Sequence, residues 1–146
     1  MFASLEGPDA ILSAASNAAT DSAFAGFPRD SYTTLPETED RILSTSITAS
    51  WRYRLGMKEF EVRDRIRQAL VETFAGHESR SVQHTLYAMA QTALEVCADI
   101  TEITLTLPNR HHLLVDLAPF GLDNRNEIFV ATDQPYGLIE ATVRRD

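Results

Sequence analysis

Between Ile42 and Tyr53 apolar and polar positions alternate with period two. Leu43, Thr45, Ile47, Ala49, Trp51 and Tyr53 fall on one face, and Ser44, Ser46, Thr48, Ser50 and Arg52 on the other. That alternation, with its β-branched content, predicts a long strand with one buried face. Gly56 punctuates it, and the period then switches. Phe60, Val62, Ile66, Ala69, Leu70 and Phe74 recur at helical spacing between Met57 and Ala75, with charges on the opposite side. Gly76 is a stop signal. Ser79 or Ser81 can cap a second helix, whose apolar stripe is Val82, Leu86, Met89, Ala93 and Val96 or Cys97. The short polar link between them predicts an antiparallel pair.

After Asp99 the period returns to two. Ile103, Leu105 and Leu107 alternate with threonines; Leu113, Val115 and Leu117 alternate with Leu114 and Asp116. Glu127–Thr132 and Leu138–Arg144 give two further strands, separated by the turn signal Asp133-Gln134-Pro135-Tyr136-Gly137. Gly121–Asn126 is a second polar loop. A strand, two helices and then several strands define an α+β domain, with helices on one face of an antiparallel sheet. Residues 1–23 read as a poorly specified leader ahead of a single domain at 24–146. Rich in Ala, Ser, Asp and Asn, the leader allows a short helix around Ala10–Ala19 on propensity alone.

The 146 residues suit one domain, and 44% hydrophobic content provides a sizeable core. Thirteen Lys plus Arg against 21 Asp plus Glu leave a net charge of −8. That balance argues against sequence-independent nucleic-acid binding and against a polybasic membrane-surface role. A single cysteine, Cys97, excludes an intramolecular disulfide framework and any Cys-rich metal cluster. No apolar run is long enough to span a membrane, and Met1–Glu6 has no secretory pattern, so the expected location is cytoplasmic.

Candidate chemistry is sparse. His111 and His112 are adjacent in or near a strand and should point to opposite faces, while His77 and His84 flank a helix start without an i,i+4 histidine partner. No His-Glu-x-x-His and no calcium loop is present, so no metal site is expected. Neither a Gly-x-Ser-x-Gly nor a phosphate-cradling glycine loop occurs, and Cys97 falls on an apolar helix stripe.

Four segments carry more. They are Phe27–Thr45, centred on Leu35-Pro36-Glu37-Thr38-Glu39-Asp40-Arg41; Ser81-Val82-Gln83-His84-Thr85-Leu86-Tyr87-Ala88-Met89; Leu107-Pro108-Asn109-Arg110-His111-His112; and Tyr136-Gly137-Leu138-Ile139-Glu140-Ala141-Thr142-Val143. In this order and spacing they closely resemble the second half of the urate oxidase (uricase) family, from about Asp21 to Asp146. The resemblance implies a T-fold: a four-stranded antiparallel sheet with two antiparallel helices on one face. It also implies oxidation of urate by O2 to 5-hydroxyisourate and hydrogen peroxide, without cofactor or metal. Family chains carry two such folds in tandem and form homotetramers whose sites lie where domains of different subunits meet.

By the family motif, Arg41 grips a carbonyl and ring edge of urate, Gln83 pairs with the opposite edge, and the backbone N–H of Val82 adds a donor. Phe24 stacks on the purine face. Asn109 holds O2 or water above the ring, and His111 assists proton movement there. A guanidinium fork and a carboxamide complement a planar anion with alternating donors and acceptors. Without the family, Asp40-Arg41 reads as a surface charge pair, Gln83 as an exposed amide and Phe24 as packing for the leader. On the same footing Asn109 is a turn residue and His111 a strand histidine. The Thr and Lys dyad that the family's first half contributes to urate deprotonation has no match here; Lys58, the only lysine, lies outside such a motif. The expected partners are therefore urate, O2 and other T-fold chains, either copies of itself or a first-half polypeptide. Two alternatives remain: an inactive T-fold binding or assembly domain, and a symmetric assembly with pterin- or purine-related chemistry.

Overall fold

The computed structural model describes residues 12–34, 36–54, 59–132 and 134–145. Lys58 lies outside them. Strand β1 (Leu12–Phe24) leads into β2 (Thr38–Tyr53), followed by helices α1 (Glu59–Gly76) and α2 (Val82–Val96). The chain continues through β3 (Ile100–Asn109), β4 (His112–Leu114), a 3-10 turn at Ala118–Phe120, β5 (Phe129–Ala131) and β6 (Gly137–Arg144). The sheet order is β1-β2-β3-β6, antiparallel throughout, and β4 with β5 forms a separate two-stranded ribbon.

The period-two face of β2 is the buried one: Leu43, Ile47, Ala49 and Trp51 sit in the core with Ile103, Leu105 and Leu107 of β3. Val62, Ile66, Leu70 and Phe74 of α1 and Val82, Leu86, Met89 and Ala93 of α2 close the same core from above. Two helices on one face of a four-stranded antiparallel sheet is the T-fold layout. Ser81 caps α2, its Oγ accepting from the His84 amide at 3.1 Å. At the other end of the helix the choice between Val96 and Cys97 falls to Cys97, which is wholly buried. The far face of the sheet is polar. Thr104 pairs with Thr142 at 2.7 Å, and Glu102 bridges Arg52 and Arg144. These exposed ion pairs contribute little stability.

Three expectations change. The helix allowed at Ala10–Ala19 is instead extended from Leu12 on, where β1 pairs with β2 through Leu12↔Ala49 and Ala15↔Ser46. Backbone pairing with a long, strongly specified neighbour overrides the helix propensity of alanine. Residues expected in the leader thus form an edge strand. The strand expected over Leu113–Leu117 stops at Leu114, because Asp116 Oδ1 accepts from the Ala118 amide at 2.9 Å and turns the chain into the 3-10 segment. Glu127–Thr132 contributes only Phe129–Ala131, since Asn124 Oδ1 accepts from the amides of Glu127 and Ile128 and holds them in the loop.

Candidate functional site

β1 and β2 meet at their ends so that Ser22 faces Arg41 and Phe24 faces Thr38. The strand shifts register three times between Ser16 and Phe24, and such irregularities re-aim side chains near sites. Arg41 continues the inward-facing face of β2 beyond the last core residue, Leu43. Its guanidinium carbon lies 5.3 Å from the centroid of the Phe24 ring. Phe24 in turn stacks on Phe27, with centroids 4.6 Å apart and planes 21° from parallel. Gly26 between them adopts φ +71°, the left-handed conformation that lets so short a turn bring the rings together.

Arg41 is the anomaly. Its Nε and Nη2 are buried without a hydrogen-bond partner among the described residues, and desolvation pushes its pKa down from the usual guanidinium value. The neighbouring carboxylate does not pair with it, since Asp40 accepts instead from Asn126 Nδ2 at 2.8 Å. The surface charge pair that the sequence also allowed is therefore not formed. A buried donor left unsatisfied is costly, and a cation over an aromatic face recovers only part of that.

The start of α2 is brought to the same place by main-chain contacts. The Ala23 amide donates to the Ser79 carbonyl at 2.7 Å, and Ser22 bridges Ser79 in parallel. Behind this lies a node of three buried hydroxyls. Ser79 Oγ accepts from Ser22 Oγ (3.3 Å) and Thr85 Oγ1 (2.8 Å) and donates to the Ser81 carbonyl (3.2 Å). The side chain of Val82 packs in the core while Gln83 stays exposed on the first turn. The first amides of a helix have no intrahelical partner, so those of Val82 and Gln83 are available to a ligand. Sequence reading missed the node; the three hydroxyls lie at no diagnostic spacing, and only the fold collects them. Ser79→Ala should lower stability by about 1–3 kcal/mol by leaving the Ser22 hydroxyl without its acceptor, as read from a denaturant midpoint.

Asn109 and His111 reach this end of the sheet from the other side of β2. Arg110 bridges Ser44, its amide donating to the Ser44 carbonyl at 2.9 Å. Ser44 is three residues from Arg41, about 10 Å along the strand. Asn109 ends β3 opposite Gly137. The His111 carbonyl accepts from Thr132 N (2.9 Å) and Oγ1 (3.2 Å), and its ring is half-buried. Phe24 and Arg41 thus touch, Val82 and Gln83 are tied to Phe24 through Ser79, and Asn109 with His111 flanks them one strand away.

His77 and His84, near the same helix start, contact each other. Burial first, and the His84 ring second, hold the His77 pKa below its usual 6.5, with Glu78 opposing. An unfolded chain then binds more protons than the folded one below about pH 6.5. Stability is accordingly expected to fall as pH drops from 6.5 through the lowered His77 value, and His77→Asn should flatten that part of a melting profile.

The four-stranded antiparallel sheet with its helix pair defines a T-fold protein, and the cation–aromatic pair of Arg41 and Phe24 lies at the end of that sheet. A sequence model of the uricase family matches residues 11–140. The chain belongs to the uricase family. It is 52% identical over 128 residues to a uricase of Arthrobacter globiformis, a stretch covering 87% of this chain and 42% of that protein. A uricase of Dictyostelium discoideum is 36% identical over 127 residues, covering 86% and 44% respectively. The crystal structure of the Arthrobacter globiformis uricase superposes with a TM-score of 0.85 at 49% identity, over 92% of this chain and 47% of that one. The chain thus spans less than half the length of these relatives.

Proposed function

We propose that this chain is a single T-fold unit that supplies the urate-clamping part of a site for cofactor-independent urate oxidation. The buried, unpartnered Arg41 guanidinium beside an aromatic ring supports this best. A planar anion with carbonyl oxygens and ring nitrogens along its edge gives Nε and Nη2 the acceptors they lack. Phe24 stacks on the purine and the guanidinium fork grips its edge, which together fix its plane and its rotation. Gln83 pairs with the opposite edge and the Val82 amide donates to it. Asn109 holds O2 or water above the ring, and His111 moves protons at that position.

The reaction needs no metal or flavin, because the deprotonated purine is itself the electron donor. Urate gives two electrons to O2, which leaves as hydrogen peroxide with two protons. Water supplies the new hydroxyl of 5-hydroxyisourate. The protein's contribution is orientation and charge stabilisation. Removal of the urate proton falls to a base outside the clamp, contributed in an assembly with other T-fold domains. β1 and β6 are the edges of the sheet, and each offers a row of backbone groups to such a neighbour. Among the described residues no helix is long and apolar enough to cross a membrane; the proposed setting is the cytoplasm.

Oxygen uptake with urate, measured alongside urate calorimetry on the purified chain, tests this. The expected result is saturable urate binding, with uptake yielding one peroxide per urate once the assembly is complete. Binding without uptake in any assembly would reduce the chain to a urate-binding domain. Absence of binding by folded, assembled protein would overturn the clamp.

A further inference from the structure

His77 and His84 are seven residues apart in sequence, on either side of the turn joining α1 to α2, yet His77 Nε2 lies 3.2 Å from His84 Nδ1. The ring centroids are 4.5 Å apart with the planes inclined at 55°, so the rings lean together rather than meeting end to end. With metal–nitrogen bonds of about 2.0–2.1 Å, nitrogens 3.2 Å apart subtend about 100° at a shared ion, close to a tetrahedral angle. We propose that His77 Nε2 and His84 Nδ1 chelate a divalent transition-metal ion of the zinc or nickel type, with water in the remaining positions.

Imidazole nitrogen is the ligand such ions favour, and His84 is exposed while His77 is half-buried, so an ion has access. Burial and the neighbouring ring hold the His77 pKa down, which favours the neutral ring. The two facing nitrogens share a hydrogen bond, and the proton in it moves to the other nitrogen of its ring when both lone pairs turn to an ion. The other groups facing the pair are Glu78, which acts on His77 as a negative charge, and the Arg80 amide, which approaches His84 Nδ1 only at 3.5 Å and is readily displaced. No cluster of three or more His, Cys, Asp or Glu is present among the described residues, so the site is open and exchangeable rather than a closed structural centre. An ion here would pin the end of α1 to the first turn of α2, one residue from Gln83. This inference stands independently of the urate reading.

The test is calorimetric titration of the full, untagged chain with Zn2+ and with Ni2+ at about pH 7.5. One ion per chain is expected, with affinity falling as the pH is lowered because protons compete for the ligand nitrogens. His77→Asn and His84→Asn should each weaken binding by about a hundredfold, the loss of one arm of a chelate, and the double variant should lose little more. His111→Asn with His112→Asn should bind like wild type. Should His84→Asn fail to fold by circular dichroism, His77→Asn on the link decides. No saturable binding by wild type, unchanged affinity in His77→Asn, or loss only in the His111 and His112 variant would each overturn the proposal.

Discussion

Arg41→Met should raise the melting temperature of the chain while removing most of its affinity for urate. The two effects have one source. In the folded chain the guanidinium is largely withdrawn from water, yet Nε and Nη2 have no acceptor among the described residues. An apolar side chain of similar length removes that penalty and keeps the contact with Phe24. The gain is on the order of 1 kcal/mol, since part of the group still meets solvent and the cation–aromatic attraction is lost. Hydrogen bonds to charged groups contribute about 1.5–3 kcal/mol, so urate affinity should fall roughly ten- to 150-fold. Melting curves and urate calorimetry on the same samples check both halves. A variant that melts lower than wild type would make Arg41 a structural residue, and the clamp would need another cation.

Leu105→Ala is expected to produce the largest loss of stability. Leu105 is fully buried at the centre of β3, paired with Ala49 of β2 on one side and Ala141 of β6 on the other. Its small cross-strand neighbours cannot collapse into the space it leaves, so the cavity persists. Deletions of this kind cost about 2–5 kcal/mol, or about 5–15 °C for a domain of this size. Thermal or denaturant unfolding measures it directly. A loss below about 1 kcal/mol would show that the helices close onto the sheet after all.

How much of this could be read from sequence depended on where side chains, rather than backbone, decide the structure. β2 was legible because Leu43, Ile47 and Trp51 alternate with serines and threonines over a long run. Both helices were legible because their stripes are apolar on one side only. β1 was not, because Leu12–Phe24 is built largely from alanine, serine and asparagine. Its pairing is a matter of main-chain hydrogen bonds to β2, which composition does not record. The small ribbon was overextended for the opposite reason. Leu113 and Leu114 are both apolar and both exposed, so no period marks where their strand ends.

The candidate site divides in the same way. The residue types of Arg41, Gln83, Asn109 and His111 were legible through the family's motifs. The contact of Arg41 with Phe24 depends on the register of β1, and the meeting of His77 with His84 on the path of a turn. Neither follows from spacing. The Ser22, Ser79 and Thr85 node is held together across 57 and 6 residues of sequence, and only the folded chain collects it.

The one thiol of the chain is also its own unfolding gauge. Cys97 is wholly enclosed just past the end of α2, and the Arg145 guanidinium, arriving from beyond β6, donates to the Cys97 carbonyl at 3.1 Å and to that of Leu94. An alkylating reagent reaches that sulfur only when the end of α2 parts from the sheet. The labelling rate, divided by that of a free thiol, is then the fraction of time this corner of the domain stands open, read without any added probe.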